Sequence, residues 1–122
     1  MDQKEFKVKM EKAKKKIKEN RTHEVCKASL MQSRAFGENG SRQLYILSEE
    51  MSELNQCVMK ALRGKTDKLH TIEELADVTI ALEYLKLVLD ISEDEVNKAV
   101  NVKLDRIERN TEMAKKTGKP SK

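Results

Sequence analysis

Two groups of acidic residues interrupt stretches of the sequence that otherwise have helical apolar spacing. One reads EEMSE at 49–53 and the other reads ELAD at 74–77. A helix turns by about 100° per residue, so Glu50 and Glu53 share one flank, as Glu74 and Asp77 do on the next helix. Carboxylates beside buried stripes repel one another strongly at low dielectric. A divalent cation would remove that repulsion, so the pattern predicts a metal site.

The types of residue in these groups indicate which cation would bind. Carboxylate oxygens are hard ligands, and the absence of a nearby histidine or cysteine pair favours Mg²⁺ or Mn²⁺ over zinc. His70 precedes Glu74 by four residues and is interpreted as a linker residue, while His23 is remote in the sequence. A ferritin-like di-iron site would need Glu-x-x-His on these helices, and the sequence has none there.

Each acid also has a structural explanation that needs no metal. Residues 71–74 fit a helix capping box, in which Glu74 would be the third helical residue. Glu49 lies on a different face from the apolar stripe and can be a surface charge. The joint pattern favours a site, because the same i, i+3 pair of acids recurs on both helices of one predicted hairpin.

All the elements that would position these acids are predicted to be helical. The predicted helices span 3–18, 23–35 with Thr22 as the cap, 42–63 ending at Gly64, 71–89, and a last helix from the Ser92 capping box to Met113. The predicted buried stripe of the third helix is Leu47, Met51, Leu54 and Val58. The fourth helix is apolar on nearly every side, which predicts a central position or a subunit interface.

Composition is consistent with one helical domain. The chain has 122 residues, of which 38% are charged and 3% aromatic, with a single proline. We predict a basic N-terminal helix or tail at 1–20, a helical domain at 21–113 and a disordered basic tail at 114–122. The net charge of +4 comes from these ends, and the central part is acidic. Nucleic acid is therefore not favoured as a partner.

Two further features bear on location and on the substrate. Cys26 and Cys57 lack CxxC spacing and are predicted to be reduced core thiols of a cytoplasmic protein. No apolar run reaches the length of a membrane span, and no signal-peptide pattern is present.

In the last helix Lys103 and Arg106 share a face and would engage an anionic group. The alternative is a solvated face paired with neighbouring acids.

The acid spacing is similar to that of the all-α MazG-like nucleoside triphosphate pyrophosphohydrolases. The motif is Glu-Glu-x-x-Glu followed about twenty residues later by Glu-x-x-Asp, matched here by 49–53 and 74–77. The stretch IEELADVTIALEY at 72–84 and the later Asn-x-Lys-x-x-Arg at 101–106 resemble small phage and prophage members in particular. The similarity covers 43–110.

That resemblance implies a MazG-like antiparallel helical bundle completed by oligomerisation, as a homodimer or homotetramer. It also implies Mg²⁺-dependent hydrolysis of a nucleoside triphosphate, NTP or dNTP, to the monophosphate and pyrophosphate, as nucleotide-pool housekeeping. The residue roles that it implies are metal binding by Glu50, Glu53, Glu74 and Asp77, water activation by Glu49, and substrate binding by Asn101, Lys103 and Arg106. The family often has a second Arg after the first, whereas here Ile107 follows Arg106.

Two rival functions remain open at this level. Phosphoribosyl-ATP pyrophosphohydrolase shares the acid motif. A non-enzymatic helical adaptor or nucleic-acid-binding protein would instead use the lysine-rich ends of the chain.

Overall fold

The computed structural model describes residues 1–15 and 18–118, and these residues form helices without any strand. The helices are α1 (Gln3–Lys12), α2 (Arg21–Ala35), α3 (Ser41–Leu62), α4 (Lys68–Val88) and α5 (Glu93–Thr117). The all-α prediction is confirmed. Within this described part, every helix is too short or too polar to cross a membrane.

The chain divides into two compact units, Met1–Leu89 and the remainder from Asp90 onward. The boundary falls where α4 ends and Asp90 takes a positive φ of 55°. It lies inside the domain predicted at 21–113. Helix α1, in the predicted N-terminal segment, contacts α4 within the first unit. Helix α4 is the centre of that unit and contacts α1, α2 and α3.

A tight turn joins α3 to α4, and Gly64 makes it possible. Gly64 has a φ of 74°, a left-handed conformation that costs glycine little. Its N–H donates to the carbonyl of Ala61, and the N–H of Lys65 donates to the carbonyl of Lys60. These two bonds are the Schellman closure of a helix end. The predicted role of Gly64 is confirmed.

Helix α4 begins earlier than the sequence predicted. Asp67 is its N-cap, and the Asp67 side chain accepts a hydrogen bond from the backbone N–H of His70 at 3.1 Å. Thr71 lies inside the helix and donates its hydroxyl to the Asp67 carbonyl. The capping box predicted at 71–74 is therefore wrong, because Asp67 is an equally good cap and stands upstream. His70 is consequently a helical residue, and capping does not explain Glu74.

The two N-terminal helices also differ from their predicted bounds. Helix α1 stops at Lys12, short of the predicted end at residue 18, and residues 16–17 of the predicted span lie outside the described residues. Helix α2 is preceded by Asn20, which has a φ of 61°, so Thr22 is not the cap. Asn tolerates this left-handed conformation better than most residues, which lets the helix start there.

Helix α5 begins with the Ser92 capping box, as predicted. It continues to Thr117, four residues beyond the predicted end at Met113, and closes on Gly118 with a φ of 70°. Residues 114–117 of the tail predicted to be disordered are thus helical. The rest of that tail, from 119, lies outside the described residues.

The buried stripe of α3 differs from the predicted one. Gln43, Leu47 and Cys57 are buried, with Glu50 and Leu54 half-buried between them. The predicted core residues Met51 and Val58 are 54% and 49% exposed. Alternating steps of three and four residues keep one face of α3 against α4 along its length. That face includes Glu50. The prediction of buried thiols is confirmed, since Cys26 and Cys57 are free and buried.

Candidate metal centre

Three of the predicted metal ligands meet where α3 and α4 pack against each other. One carboxylate oxygen from each of Glu50, Glu74 and Asp77 lies within 4.8 Å of the others. Glu50 is part of the α3 stripe that faces α4, and Glu74 and Asp77 lie one turn apart on α4. Glu74 is only 5% exposed, and the other two are half-buried. We call these three residues the acid cluster.

The other two acids of the motif lie at the margin or away from it. Glu53 is exposed, but its charge acts on all three members of the acid cluster. Glu49 is exposed on α3. It belongs to neither group of potential metal ligands found in residues 1–15 and 18–118. The structure therefore brings Glu53 close to the cluster and leaves Glu49 on the surface beside it.

Burial and mutual repulsion disfavour ionisation within the acid cluster. Burial, with the neighbouring Glu53, Asp77 and Glu50, raises the pKa of Glu74 to about 7. Burial also raises the pKa of Glu50, with Asp77 and Glu53 adding to the effect. The pKa of Asp77 is raised first by burial and then by the charges of Glu73 and Glu53, which outweigh the opposing charge of the N-terminal amino group. Negative charge thus exceeds positive charge around the cluster, and a cation would offset it.

Two oxygens of the acid cluster have no hydrogen-bond donor. Oε2 of Glu50 and Oε2 of Glu74 are both buried and unpartnered within the described residues. Leaving a buried acceptor unsatisfied costs about 1–3 kcal/mol, and more when the group is charged. Their neighbours are other carboxylates, which cannot donate unless one carries a proton. Buried oxygens with this environment fit a hard divalent cation.

His70 and Glu73 extend this region toward the start of α4. The Nε2 atom of His70 lies 3.8 Å from Oε1 of Glu74, and its Nδ1 atom lies 3.8 Å from Oε1 of Glu73. Gln3 of α1 contacts both His70 and Glu73. The interpretation of His70 as a linker residue is wrong, because Asp67 starts the helix upstream of it. The i, i+4 spacing of His70 and Glu74 was the available signal.

A cleft of about 590 Å³ adjoins the acid cluster and is lined by α2, α3 and α4. Glu50 and Asp77 form part of its wall. Tyr84 is half-buried in the lining, seven residues after Asp77 and on nearly the same side of α4. Phe36, at the end of α2, adds a second ring and is 83% exposed. The cleft therefore offers carboxylates in one part and aromatic surface in another.

Gln43 and Arg42 are cleft residues that the sequence analysis did not assign. Gln43 is only 9% exposed, and its Oε1 atom has no donor within the part of the chain described. The Arg42 side chain is 71% exposed, and its Nη1 atom lies 3.9 Å from Oε1 of Glu38. The signal for Gln43 was its place seven residues before Glu50, on the same face of α3. A polar residue in a buried stripe needs a partner.

Glu83 is a buried carboxylate for which the protein supplies basic hydrogen-bond donors. Its Oε1 atom lies 2.7 Å from Nδ1 of His23, and its Oε2 atom lies 2.8 Å from Nζ of Lys86. Burial by itself would raise the pKa of Glu83, but the hydrogen bonds from Lys86 and His23 lower it below the ordinary value. His23, remote in sequence, thus joins α2 to α4. The contact of the acid cluster with a basic side chain is longer, at 3.8 Å between Nε2 of His70 and Oε1 of Glu74.

The predicted substrate-binding residues lie on α5, in the second unit. Asn101, Lys103 and Arg106 are all exposed. Lys103 and Arg106 stand one turn apart on a helix, so they share a face as expected. Their contact with a substrate stays a prediction.

Comparisons with protein families, with curated proteins and with solved structures give no match to this chain. The resemblance to the MazG-like family therefore depends on the motif residues alone. The acid cluster must be interpreted from its own geometry.

Proposed function

We propose that this chain is a metal-dependent nucleoside triphosphate pyrophosphohydrolase of the MazG-like type. The observation that carries the proposal is the acid cluster, in which two buried carboxylate oxygens lack any donor among the described residues. The adjoining cleft of about 590 Å³ falls within the size range of small-molecule sites. A cation site beside a partly aromatic cleft suits a ligand with a polyanionic end and a planar end.

The proposed metal ligands are Glu50, Glu53, Glu74 and Asp77, with Mg²⁺ as the cation and Mn²⁺ as the alternative. When bound, the cation would offset the charge of the triphosphate and lower the pKa of a coordinated water. Carboxylates without a cation would repel a triphosphate. Binding of the cation at neutral pH would release the proton that Glu74 holds, because metal ligands must be deprotonated.

The remaining proposed roles are water activation and phosphate binding. Glu49 is proposed to orient the attacking water and accept its proton, because it is exposed to solvent and adjacent to Glu50. The water attacks the α phosphorus, the bond from that phosphorus to the bridging oxygen breaks, and pyrophosphate leaves. Asn101, Lys103 and Arg106 are proposed to bind the phosphates, since amide and cationic donors suit phosphate oxygens.

The cleft is proposed to receive the nucleoside. The rings of Tyr84 and Phe36 give surfaces on which a base can stack, and stacking is worth about 1–3 kcal/mol per base. The unpartnered Oε1 atom of Gln43 can accept a hydrogen bond from an N–H group of that base.

The chain is proposed to act as a homodimer or homotetramer in the cytoplasm. Large apolar side chains of α3, α4 and α5 are exposed in the single chain: Met51, Val58, Leu62, Leu75, Ile80, Leu82, Val100, Leu104 and Ile107. Val100, Leu104 and Ile107 repeat at helical spacing on α5. Self-association would cover those side chains that lie together, because exposed apolar patches mark interaction surfaces.

The decisive experiment measures pyrophosphate release from all common NTPs and dNTPs, with Mg²⁺ and without it. We expect turnover of at least one nucleotide that requires the cation. Glu50→Gln should lower the rate at least about a hundredfold, because it removes a ligand from the acid cluster. Glu24→Gln is the matched control, since it removes an exposed carboxylate from α2 and should leave the rate unchanged.

The same assay separates the rival functions when phosphoribosyl-ATP is added to the panel. Cation-dependent turnover of phosphoribosyl-ATP alone would favour the first rival. No turnover across the panel, together with salt-sensitive binding of nucleic acid that survives Glu50→Gln, would favour an adaptor and refute the proposal.

A further inference from the structure

A second group of potential metal ligands lies at the start of α4 and shares one residue with the acid cluster. It consists of His70, Glu73 and Glu74, whose ligand atoms also lie within 4.8 Å of one another. Glu74 belongs to both groups. A carboxylate has two oxygens and can contact two cations at once, so the geometry allows one cation on each side of Glu74.

The side chain of Gln3 marks the position between two of these ligands. Its Nε2 atom lies 2.9 Å from Nδ1 of His70 and 3.1 Å from Oε1 of Glu73. Those two acceptor atoms are 3.8 Å apart. The N–H groups of an amide carry partial positive charge, and here they donate to two acceptor atoms whose lone pairs would otherwise repel each other. A cation would bind the same two atoms.

The buried carboxylate of Glu74, which this group shares with the acid cluster, also lacks a donor among the described residues. Glu74 is 5% exposed, and its Oε2 atom accepts no hydrogen bond from the described residues. The Gln3 amide does not relieve this oxygen, because its hydrogen bonds go to His70 and Glu73. His70 is the nearest basic group, at 3.8 Å from the other oxygen of Glu74. That distance is too long for a hydrogen bond.

We propose that His70, Glu73 and Glu74 form a second cation position, which takes a transition metal such as Mn²⁺, Co²⁺ or Zn²⁺ in preference to Mg²⁺. An imidazole nitrogen is a poor ligand for Mg²⁺ and a good one for transition metals. Gln3 leaves these ligands when the cation binds, so α1 competes with the metal. The position extends the proposed metal centre but does not depend on nucleotide hydrolysis.

Titration of the metal-free protein with Co²⁺ tests this position directly. A histidine bound to Co²⁺ gives a strongly shifted, exchangeable proton NMR signal from its ring N–H, which carboxylate ligands do not give. We expect one such signal and two bound equivalents of Co²⁺. His70→Gln should remove the signal and one equivalent. The chain has two histidines, so His23→Gln is the matched control and should keep both.

Two more variants separate the two cation positions. Gln3→Ala should tighten Co²⁺ binding at the His70 position by about tenfold, because it removes two competing hydrogen bonds. Glu50→Gln should weaken the acid cluster and leave the imidazole signal in place.

The outcomes distinguish this inference from the proposed function. An imidazole signal that disappears in His23→Gln rather than His70→Gln would overturn the inference. So would two equivalents of Co²⁺ bound by His70→Gln. Cation-dependent hydrolysis without any imidazole signal would overturn it and leave the proposed function standing. The expected imidazole signal in a protein that hydrolyses no nucleotide would refute the proposed function and leave this inference standing.

Discussion

The substitution Glu74→Gln should abolish a penalty on folding that appears as the pH rises. The pKa of this carboxyl is raised from 4.5 to about 7 in the folded chain. Between these values the folded state holds a proton that the unfolded state has lost, so stability falls as the pH rises through this window. A shift of this size corresponds to about 3 kcal/mol, at 1.36 kcal/mol per pKa unit.

Urea unfolding of the metal-free protein at pH 5.0 and at pH 7.5 measures this effect. The free energy of unfolding of the unsubstituted chain should be lower at pH 7.5. Glu74→Gln should reduce the difference between the two pH values by about 2.4 kcal/mol, because pH 5.0 and pH 7.5 span most but not all of the titration. Groups distant from the acid cluster contribute alike to both proteins, so the comparison reports on Glu74 and on the acids that interact with it. The control Glu24→Gln changes an exposed carboxylate and should leave the difference unchanged.

A divalent cation should also change the free energy of unfolding, and should raise it. Mn²⁺ at a hundred times its dissociation constant should stabilise the chain by about 2.7 kcal/mol at pH 7.5. Its effect should be much smaller at pH 5.0, where Glu74 is protonated, and much smaller in Glu74→Gln. A pH difference of the same size in Glu74→Gln and in the unsubstituted chain would refute the assignment of this proton to Glu74.

Three other substitutions test the elements around the metal centre. Asp67→Ala should lower the free energy of unfolding by about 1 kcal/mol in urea titrations, because it removes the side-chain cap of α4; an unchanged value would contradict the cap. Glu83→Gln should destabilise the chain by about 1.5–3 kcal/mol above pH 5, because it removes the charge that accepts two hydrogen bonds. The loss should shrink at lower pH, because the unsubstituted chain also loses this charge as the pH falls through the lowered pKa of Glu83. Gly40→Ala should cost more than 1 kcal/mol in the same titrations, since Gly40 has a φ of 91° and a Cβ there would lie 3.0 Å from both methyl groups of Val88.

Local sequence patterns predicted most of the helices and the meeting of three acids. The apolar spacing of α3 and α4 and the turn at Gly64 depend on neighbours in the chain, so they can be read from the sequence. The pairing of Glu50 with Glu74 and Asp77 followed from a short helical hairpin. The helix end at Gly64 and the capping box at Ser92 were predicted for the same reason.

Two kinds of structural feature were not predicted. One depends on a choice between two similar signals in the sequence, and the other depends on contacts between residues far apart in the chain. Asp67 and Thr71 are both good caps, and choosing Thr71 placed His70 outside the helix. Met51 was placed in the core because its spacing from Leu47 is helical, but α3 is rotated so that Glu50 faces α4. The contact of Gln3 with His70 joins residues far apart in the sequence. The helix propensities of the residues next to Gln3 do not indicate this contact.

The turn at Gly64 has a consequence for how the protein is made. Both helices of the acid cluster and the turn between them lie within the first 89 residues, which form a compact unit. The acids can therefore gather while the rest of the chain is still being synthesised, since domains fold as units from the N-terminus. A nascent chain would bear the repulsion before α5 is made. A divalent cation at the proposed site would then stabilise this unit as it folds.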